Sequence, residues 1–351
     1  MPRPSNRPRR ALRLAVLGFG HVGRRFAERL LGPYGRILRQ RGVEPLVTGI
    51  ATGRHGIALD ADGLSLKTCL SLVKKGAGLG SLHRGRPLST ALDFLRKVQA
   101  DVLLEVTPLD PQTGEPALTH VRTALGRGLH VVTANKGPVA FAHRQLHALA
   151  HRKGRRFLHE GTVMDGTPIF NLVERCLPGA RILGFRGLLN STTTRILSQM
   201  EAGLSFDEAL KDAQAAGVAE ADPRNDLDGW DAAVKGCVVA NALMGAQVTP
   251  QDVKRKGISG IGGHDLRRAV GAGRRLRLIV RGRRVGRKVA VSVAPETLEI
   301  DDLLVSRGAD GVLVLETDLM GEIGIWEGAG GIDQTAYALL ADLLHITEIE
   351  K

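Results

Sequence analysis

The apolar residues in the first half of the chain form short, nearly continuous runs separated by segments with helical spacing. The runs are LRLAVLG from Leu12, LVTGIA at 46–51, DVLLEV at 101–106, HVVTA at 130–134 and RFLHE at 156–160. Helical patterns cover 22–30, 115–127 and 138–151, whereas 53–90 is Gly-rich and predicts irregular structure with a short helix near Cys69. Strands buried on both faces have continuous apolar runs, so the pattern predicts an α/β fold with a parallel sheet covered by helices.

The pattern changes after Glu160. Long helical segments are predicted over 168–177, 192–217 and 229–246, and three strand-like segments follow from about residue 275. An amphipathic helix over 333–344 ends the pattern and is expected to pack back on the first half. The sequence therefore predicts a boundary near residue 160, with residues 11–160 and 328–351 in one domain and 161–327 in an α+β domain.

The net charge of +13, from 49 basic and 36 acidic residues among 351, first suggests a nucleic-acid partner. However, the excess is confined to four arginines in residues 1–10 and ten basic residues in 267–288, and the rest is nearly neutral. Neither segment contains an aromatic residue, so base stacking is not supported. Residues 1–10 are predicted to be a disordered basic tail.

Other sequence features exclude several classes of protein. We find no apolar stretch long enough for a transmembrane helix and no secretory signal. Three distant cysteines exclude a disulfide framework and a cysteine-based zinc site, and they favour a cytoplasmic setting. The eleven histidines have no recognised metal-ligand spacing, so each is expected to be an ordinary surface or core residue.

The segment GFGHVG at 18–23 lies between a predicted strand and a predicted helix. Gly18 permits a tight turn, Gly20 lets a pyrophosphate approach the backbone, and Gly23 lets helix and strand pack closely. The phosphates would sit at the N-terminus of the helix. The motif predicts dinucleotide binding, and the alternative is a Gly-rich turn in another α/β fold.

The end of the second predicted strand, ATGRHG at 51–56, has no acidic residue for the ribose hydroxyl of NAD. Arg54 stands there instead, and a guanidinium can pair with the 2′-phosphate of NADP. The alternative is a solvated loop arginine.

Two lysines are candidates for chemistry. Asp231 and Lys235 are four residues apart at the start of an apolar helix, so they share a face, and burial would make the lysine an acid or base with a tunable pKa. Lys136 follows a strand, at the sheet edge where α/β proteins bind ligands. The alternatives are an exposed ion pair and a solvated loop lysine.

The segment HEGTVMDGTPI at 159–169 brings Glu160 and Asp165 close in sequence, within a Gly-containing loop. Oxygen ligands of this kind suit a hard cation better than zinc. A loop that joins two domains without any metal is an equal alternative.

Taken together, GFGHVG, EVTP, TANKGPVA, EGTVMDGTPI, NSTTTRIL, GVAEADPRNDLDGWDAAVK and LETD with GAGG resemble homoserine dehydrogenase in order and spacing, from about residue 12 onward. The chain resembles the short form without a regulatory ACT domain. The resemblance implies a Rossmann-type nucleotide-binding domain and a second α+β substrate-binding and dimerisation domain. It also implies reversible reduction of L-aspartate 4-semialdehyde to L-homoserine, the step toward threonine and methionine.

The resemblance also implies roles for individual residues. Lys235 would be the proton donor and Lys136 would contact cofactor and substrate. The substrate contacts would be Glu220, Asp226, Asp231 and Thr192. The cofactor contacts would be Gly18, Phe19, Gly20, His21, Val22, Gly23, Arg54, Thr107 and Lys136. A sodium-type cation would lie at Glu160, Val163, Asp165 and Thr167. The expected cofactor is NADP, with NAD as the second choice, and the expected partners are a small-molecule substrate and a second copy of the chain, not a nucleic acid or membrane.

The sequence departs from the family pattern at Gly161, where the family usually has Ala, and in NSTTTR, where Ser191 and Arg195 replace other residues. One alternative is therefore a related dehydrogenase that acts on another amino-acid semialdehyde or alcohol. A different class, a redox sensor that binds nucleic acid through residues 267–288, is the remaining alternative.

Overall fold

A computed structural model of the protein describes residues 9–305, 310–328 and 330–349. Most of the tail expected at 1–10 lies outside these residues, but Arg10 already forms part of the first strand. Within the described part of the chain, no helix combines the length and the apolar character needed to cross a lipid bilayer.

The first sheet has six strands in the order β3-β2-β1-β4-β5-β6. Its strands are β1 (Arg10–Leu17), β2 (Val43–Thr52), β3 (Gly56–Leu59), β4 (Val102–Glu105), β5 (His130–Thr133) and β6 (Phe157–Leu158). All neighbours are parallel except β2 and β3, which form an antiparallel hairpin that we did not expect within 53–90. Gly56, with φ of 74°, supplies the left-handed backbone conformation after the turn.

Helices cover both faces of this sheet. They are α1 (His21–Leu30), α2 (Pro33–Gln40), α3 (Leu66–Lys74), α4 (Ala91–Lys97), α5 (Ala117–Gly126) and α6 (Lys136–Arg152). Leu14 and Val16 of β1 belong to one buried cluster, whereas Ala15 and Leu17 belong to another. Alternate residues of a strand point to opposite faces, so both faces of β1 are buried, as its continuous apolar run predicts.

The second sheet also has six strands, in the order β12-β11-β7-β9-β10-β8. They are β7 (Ile182–Leu188), β8 (Lys254–Arg255), β9 (Arg274–Val285), β10 (Lys288–Glu299), β11 (Gly311–Thr317) and β12 (Gly321–Glu327). Only the short β8 pairs in parallel, with β10. The prediction of three strands was incomplete, because β7, β8 and β12 were not foreseen.

The remaining helices are α7 (Phe170–Cys176), α8 (Ser191–Glu201), α9 (Phe206–Ala215), α10 (Arg224–Leu227), α11 (Trp230–Met244), α12 (Gly263–Gly271) and α13 (Ile332–Ile349). The single helix predicted over 192–217 is wrong, since α8 and α9 are separate. Gly203 breaks the helix with φ of 108°, and Ser205 begins the next one through a capping box with Glu208.

Helix α13 returns to the first sheet, as expected from its amphipathic pattern. Its Ala336, Leu339, Leu340 and Leu343 share a buried cluster with residues of β1. Asp333, in its first turn, pairs with Arg29 of α1 at 2.9 Å.

The basic segment 267–288 forms the end of α12, all of β9 and the start of β10. Its arginines bind carboxylates of the same domain: Arg277 Nη1 lies 2.7 Å from Glu201, and Arg281 Nη2 lies 2.6 Å from Glu296 across the β9–β10 pair. Arg277 is also 1% exposed. These two arginines are therefore held by carboxylates within the fold.

Candidate active site

The glycine turn, residues 18–23, joins β1 to α1. Gly18 has φ of 97°, and a Cβ there would lie 2.5 Å from the carbonyl oxygen of Val106. A Cβ at Gly23 would lie 2.4 Å from the carbonyl oxygen of Gly18, whereas no atom of the described residues lies within 4 Å of the Cβ position at Gly20. Gly18 and Gly23 thus allow close packing of the chain, and Gly20 leaves open space before the helix.

The N-terminus of α1 fits a phosphate group. No side chain in the described part of the chain caps it, and its first turn contains no acidic residue, so the N–H groups and the positive end of the helix dipole are free to meet an anion. Phe19 is buried beside the turn, while His21 and Val22 are the first residues of α1 and remain at least partly exposed.

Arg54 lies in the turn between β2 and β3, where its side chain is exposed. The backbone N–H of Gly18 donates to the carbonyl of Ala51 at 2.9 Å, so this turn and the glycine turn lie at the same sheet edge. An exposed guanidinium at this edge can accept a phosphate, and no carboxylate in 51–56 competes for it.

A second loop at this edge is held by buried polar groups. Glu105, at the end of β4, accepts hydrogen bonds from the hydroxyls of Thr107 and Thr133. Asn135 Nδ2 donates to the carbonyl of Thr107 at 3.0 Å, while its Oδ1 accepts from Gly137 N at 2.9 Å and caps α6. These bonds fix Thr107 and place Lys136 at the first position of α6.

A lysine–carboxylate cluster, formed by Lys136, Asp226, Asp231 and Lys235, lies between the two sheets. Asp231 is central: its Oδ1 lies 3.2 Å from Lys136 Nζ, and its Oδ2 lies 3.2 Å from Lys235 Nζ. Lys235 Nζ also donates to the carbonyl of Leu189 at 2.7 Å. The structure thus brings both predicted lysines to one carboxylate, although they are far apart in sequence.

Asn190 joins the two aspartates of this cluster, and its role was missed from the sequence. Its Nδ2 donates to Asp226 at 2.7 Å and to Asp231 at 3.1 Å. An Asn before a helical STTT run could have been read only as the N-cap of α8, which it also is.

Burial and neighbouring charges act in opposite directions in this cluster. Burial alone would lower the pKa of Lys235, but the carboxylates of Asp231 and Asp165 outweigh it and raise that pKa. Burial alone would raise the pKa of Asp231, but Lys235 and Lys136 hold it well below its usual value. For Asp226, burial and the charge of Asp231 both raise the pKa. Lys235 is therefore an ammonium at neutral pH.

A cavity of about 260 Å³ adjoins Lys235. It is lined also by Asp165, Ser191, Val218 and Glu327, among others. Glu327 Oε1 is buried and has no hydrogen-bond partner among the described residues, and burial together with Asp165 raises the pKa of this carboxyl. Glu327 was missed because it ends an edge strand, with no signal beyond the Gly-rich run that follows.

The remaining predicted substrate residues, Thr192 and Glu220, differ in their positions and contacts. Thr192 is buried in α8, and its hydroxyl donates to the carbonyl of Val218 at 3.1 Å. Glu220 is exposed on the segment after α9, and its backbone carbonyl accepts from Gln214. No contact joins the carboxylate of Glu220 to the lysine–carboxylate cluster in the described structure.

The four residues predicted to hold a cation have distinct roles. The Glu160 carboxylate accepts from the backbone N–H groups of Ile169, Phe170 and Asn171 at the start of α7. Val163 is buried. Asp165, with φ of 40°, accepts from Thr335, and the nearby Thr167 acts to lower the pKa of the Glu327 carboxyl. A cation at this loop would therefore draw on carbonyls or Asp165 rather than on the Glu160 side chain.

Comparison with known proteins identifies the family. The profile of the homoserine dehydrogenase NAD-binding domain matches residues 18–160, and the homoserine dehydrogenase profile matches residues 168–344. The chain is 37% identical over 335 residues to homoserine dehydrogenase of Methanocaldococcus jannaschii, covering 95% of this chain and 98% of that protein. It is 37% identical over 343 residues to the NAD(+)-dependent homoserine dehydrogenase of Pseudomonas canavaninivorans, covering 95% and 96%.

Solved structures agree. A homoserine dehydrogenase from Thiobacillus denitrificans superposes with a TM-score of 0.81 at 29% identity, covering 97% of this chain and 74% of that one. A hyperthermophilic archaeal homoserine dehydrogenase in complex with NADPH gives 0.80 at 27% identity, covering 97% and 98%. The glycine turn, the paired lysines and these similarities together show that the chain belongs to the homoserine dehydrogenase family, whose members are NAD(P)-dependent oxidoreductases of homoserine.

Proposed function

We propose that the protein interconverts L-homoserine and L-aspartate 4-semialdehyde and prefers NADP to NAD, as a step toward threonine and methionine. The observation that carries the proposal is the lysine–carboxylate cluster beside the cavity, in which the half-buried Lys235 is an ammonium. When bound, the nicotinamide supplies or accepts the hydride.

Both lysines stabilise charge on the substrate oxygen, and Lys235 also transfers the proton. During reduction of the aldehyde, negative charge grows on that oxygen, and the ammonium groups of Lys136 and Lys235 stabilise it. Lys235 gives its proton to the oxygen and becomes a neutral amine, which water reprotonates. In the reverse direction, the neutral amine takes the hydroxyl proton of homoserine. Asp231 positions both lysines, since each contacts one of its oxygens.

Carboxylates around the cavity suit the ammonium group of the substrate. We assign substrate contacts to Glu220, Asp226, Asp231 and Thr192, and we add Glu327, whose Oε1 has no partner among the described residues. A substrate ammonium would satisfy this buried oxygen. Because Glu220 is exposed, it would meet the substrate from the rim of the cavity.

The cofactor would lie on the glycine turn, with contacts from Phe19, His21, Val22, Thr107 and Lys136. Support for NADP comes from Arg54, exposed at the same sheet edge. One relative is described as NAD(+)-dependent and another was solved with NADPH, so the relatives do not decide between the two cofactors. The proposed preference for NADP therefore rests on Arg54.

Three further proposals concern a bound cation, the roles of the two domains and a homodimer. A sodium-type cation would bind at the loop 160–167, through Asp165 and backbone carbonyls. Residues 11–160 and 328–351 would bind the nucleotide, and 161–327 would bind substrate and form a homodimer. The dimer is supported by exposed apolar side chains, among them Leu319, Met320 and Trp326, at 69%, 62% and 65% exposure.

A direct assay tests the reaction. The purified protein is mixed with L-homoserine and NADP⁺ at alkaline pH, and NADPH formation is followed by absorbance; the reverse assay uses aspartate semialdehyde. Turnover with neither substrate would overturn the proposal. Related amino-acid alcohols are tested in the same assay. If none of them is a better substrate than homoserine, the alternative of a dehydrogenase for another amino-acid alcohol is excluded.

A further inference from the structure

Three histidines that the proposed reaction does not use lie together between α6 and the segment that follows β6. His143 and His147 are one turn apart on α6, and His159 follows β6. One ring nitrogen from each lies within 4.8 Å of the other two. The sequence hides this group, because the third histidine joins the pair only through the parallel neighbours β5 and β6.

The surroundings leave two of these rings with unmet polar atoms. Phe157 and Phe170 pack on the group, with ring centroids 5.3 Å from His147 and 4.4 Å from His159. His159 is only 6% exposed. The Nε2 atom of His147 and the Nδ1 atom of His159 are buried and have no hydrogen-bond partner among the described residues. Buried polar atoms without partners are costly, so a ligand at this point would be stabilising.

The three imidazoles are in the state that binds metal. Burial lowers the pKa of His143 to about 3, and it lowers the pKa of His147 and of His159 as well, so all three rings are neutral at neutral pH. The charges that face His147 are Glu174 of α7, which favours a cation there, and Arg156, which opposes it.

From this geometry we propose that His143, His147 and His159 bind a divalent transition metal of the zinc class, with water in a fourth position. Imidazole nitrogen suits zinc, cobalt, nickel or copper and does not suit sodium or magnesium. Zinc–nitrogen distances of about 2.0–2.1 Å place tetrahedral ligands roughly 3.3 Å apart, so ring nitrogens now within 4.8 Å must approach by up to about 1.5 Å on binding. It is separate in chemistry from the oxygen-lined loop at 160–167.

The position of the site predicts its effect. Helix α6 begins at Lys136, and His159 precedes Glu160, whose carboxylate caps α7. A bound ion would join α6 to the segment that leads into α7. We therefore expect metal to raise the thermal stability of the protein, with a smaller effect on turnover with homoserine.

The test uses the full chain without a polyhistidine tag, stripped with a chelator and titrated with Zn²⁺ or Co²⁺. We expect one ion per chain, d–d bands typical of four-coordinate Co²⁺ displaced by Zn²⁺, and a Tm that rises with zinc concentration. His143→Gln and His147→Gln should each weaken zinc binding by more than about 100-fold, since loss of a group that only hydrogen-bonds a metal ligand already costs about 10- to 100-fold. His143 and His147 are both only partly buried, so both variants should fold, and the Tm of each metal-free variant checks this.

Two control variants isolate the site. His151→Gln removes an exposed histidine of the same helix, and Cys176→Ser removes the exposed thiol at the end of α7; both should bind zinc as the parent does. The proposal is overturned if the parent binds no stoichiometric metal, or if the histidine variants and the controls bind equally. Dehydrogenase activity is measured separately, so failure of either proposal is distinguishable from failure of the other.

Discussion

The glycine turn and the lysine–carboxylate cluster are assembled in opposite ways. The turn consists of six consecutive residues, and its useful groups are backbone N–H groups and open space at Gly20. The cluster takes side chains from α6, α10 and α11, and Asn190 before α8 joins its aspartates. A site made of backbone groups can be recognised from a short sequence motif. A site made of side chains that are distant in sequence forms only once the two sheets have packed together.

The largest expected effect is at Lys235. Lys235→Met retains the bulk of the side chain but removes the ammonium, so kcat for homoserine oxidation should fall by about 10²- to 10⁴-fold. NADPH binding, measured by fluorescence titration, should be unchanged, because this residue contacts the substrate. Lys211→Met, on the exposed side of α9, is the control and should retain full activity. Equal activity of the two variants would refute the assignment.

A smaller effect is expected at the cofactor edge. Arg54→Ala should raise KM for NADP⁺ by roughly 10- to 100-fold, because hydrogen bonds to a charged group contribute about 1.5–3 kcal/mol. KM for NAD⁺ should change little. Arg84→Ala removes an exposed arginine that pairs with Asp60 and serves as control. If the ratio of KM for NADP⁺ to KM for NAD⁺ is the same in the Arg54 variant and the parent, Arg54 is not the partner of the 2′-phosphate.

Two substitutions separate folding from cofactor binding within the glycine turn. Gly18→Ala introduces both a clash with Val106 and a left-handed alanine, which alone costs about 1–2 kcal/mol, so its Tm should fall. Gly20→Ala meets no neighbouring atom, so its Tm should match the parent while NADPH binding weakens. Thermal unfolding and NADPH titration of both variants check this; a similar Tm loss in both would contradict it.

The smallest expected effect is a shift in pH dependence. Asp231→Asn removes the carboxylate that raises the pKa of Lys235 most, so burial, which lowers that pKa, is opposed only by Asp165 and Asp226. Homoserine oxidation needs the neutral amine, so kcat/KM rises with pH through this pKa, and in the variant the rise should move to lower pH by about 1 unit, or 1.4 kcal/mol. Asp228→Asn, exposed in the same segment, should leave the profile unchanged. A profile that stays in place in both variants would contradict the role of Asp231.

The sequence predicts the parts of the molecule that follow from local rules. The buried strands of the first sheet, the glycine turn and the α/β fold class with its family are confirmed. It does not predict β12, whose residues are exposed or half-buried and lack a continuous apolar run. It also does not predict the break between α8 and α9, because the capping signal at Ser205 lies within residues that have helical spacing.

In the candidate site, too, local features follow from the sequence and long-range contacts do not. Asp231 and Lys235 are one helical turn apart, so their pairing follows from spacing alone, and the structure contains it at 3.2 Å. Lys136 joins them only through the contact between α6 and α11. Asn190 and Glu327 carry no local signature, because an N-cap asparagine and a strand-end glutamate are common in any fold.

The return of α13 to α1 has a consequence for how the chain acquires its structure. Arg29 and Asp333, which pair across these helices, are separated by 304 positions. The buried face of β1 that receives Leu339, Leu340 and Leu343 stays uncovered during synthesis until those residues leave the ribosome. Closing so long a loop is slow, so the first domain is completed only late in translation, and the apolar surface that α13 covers favours aggregation until then.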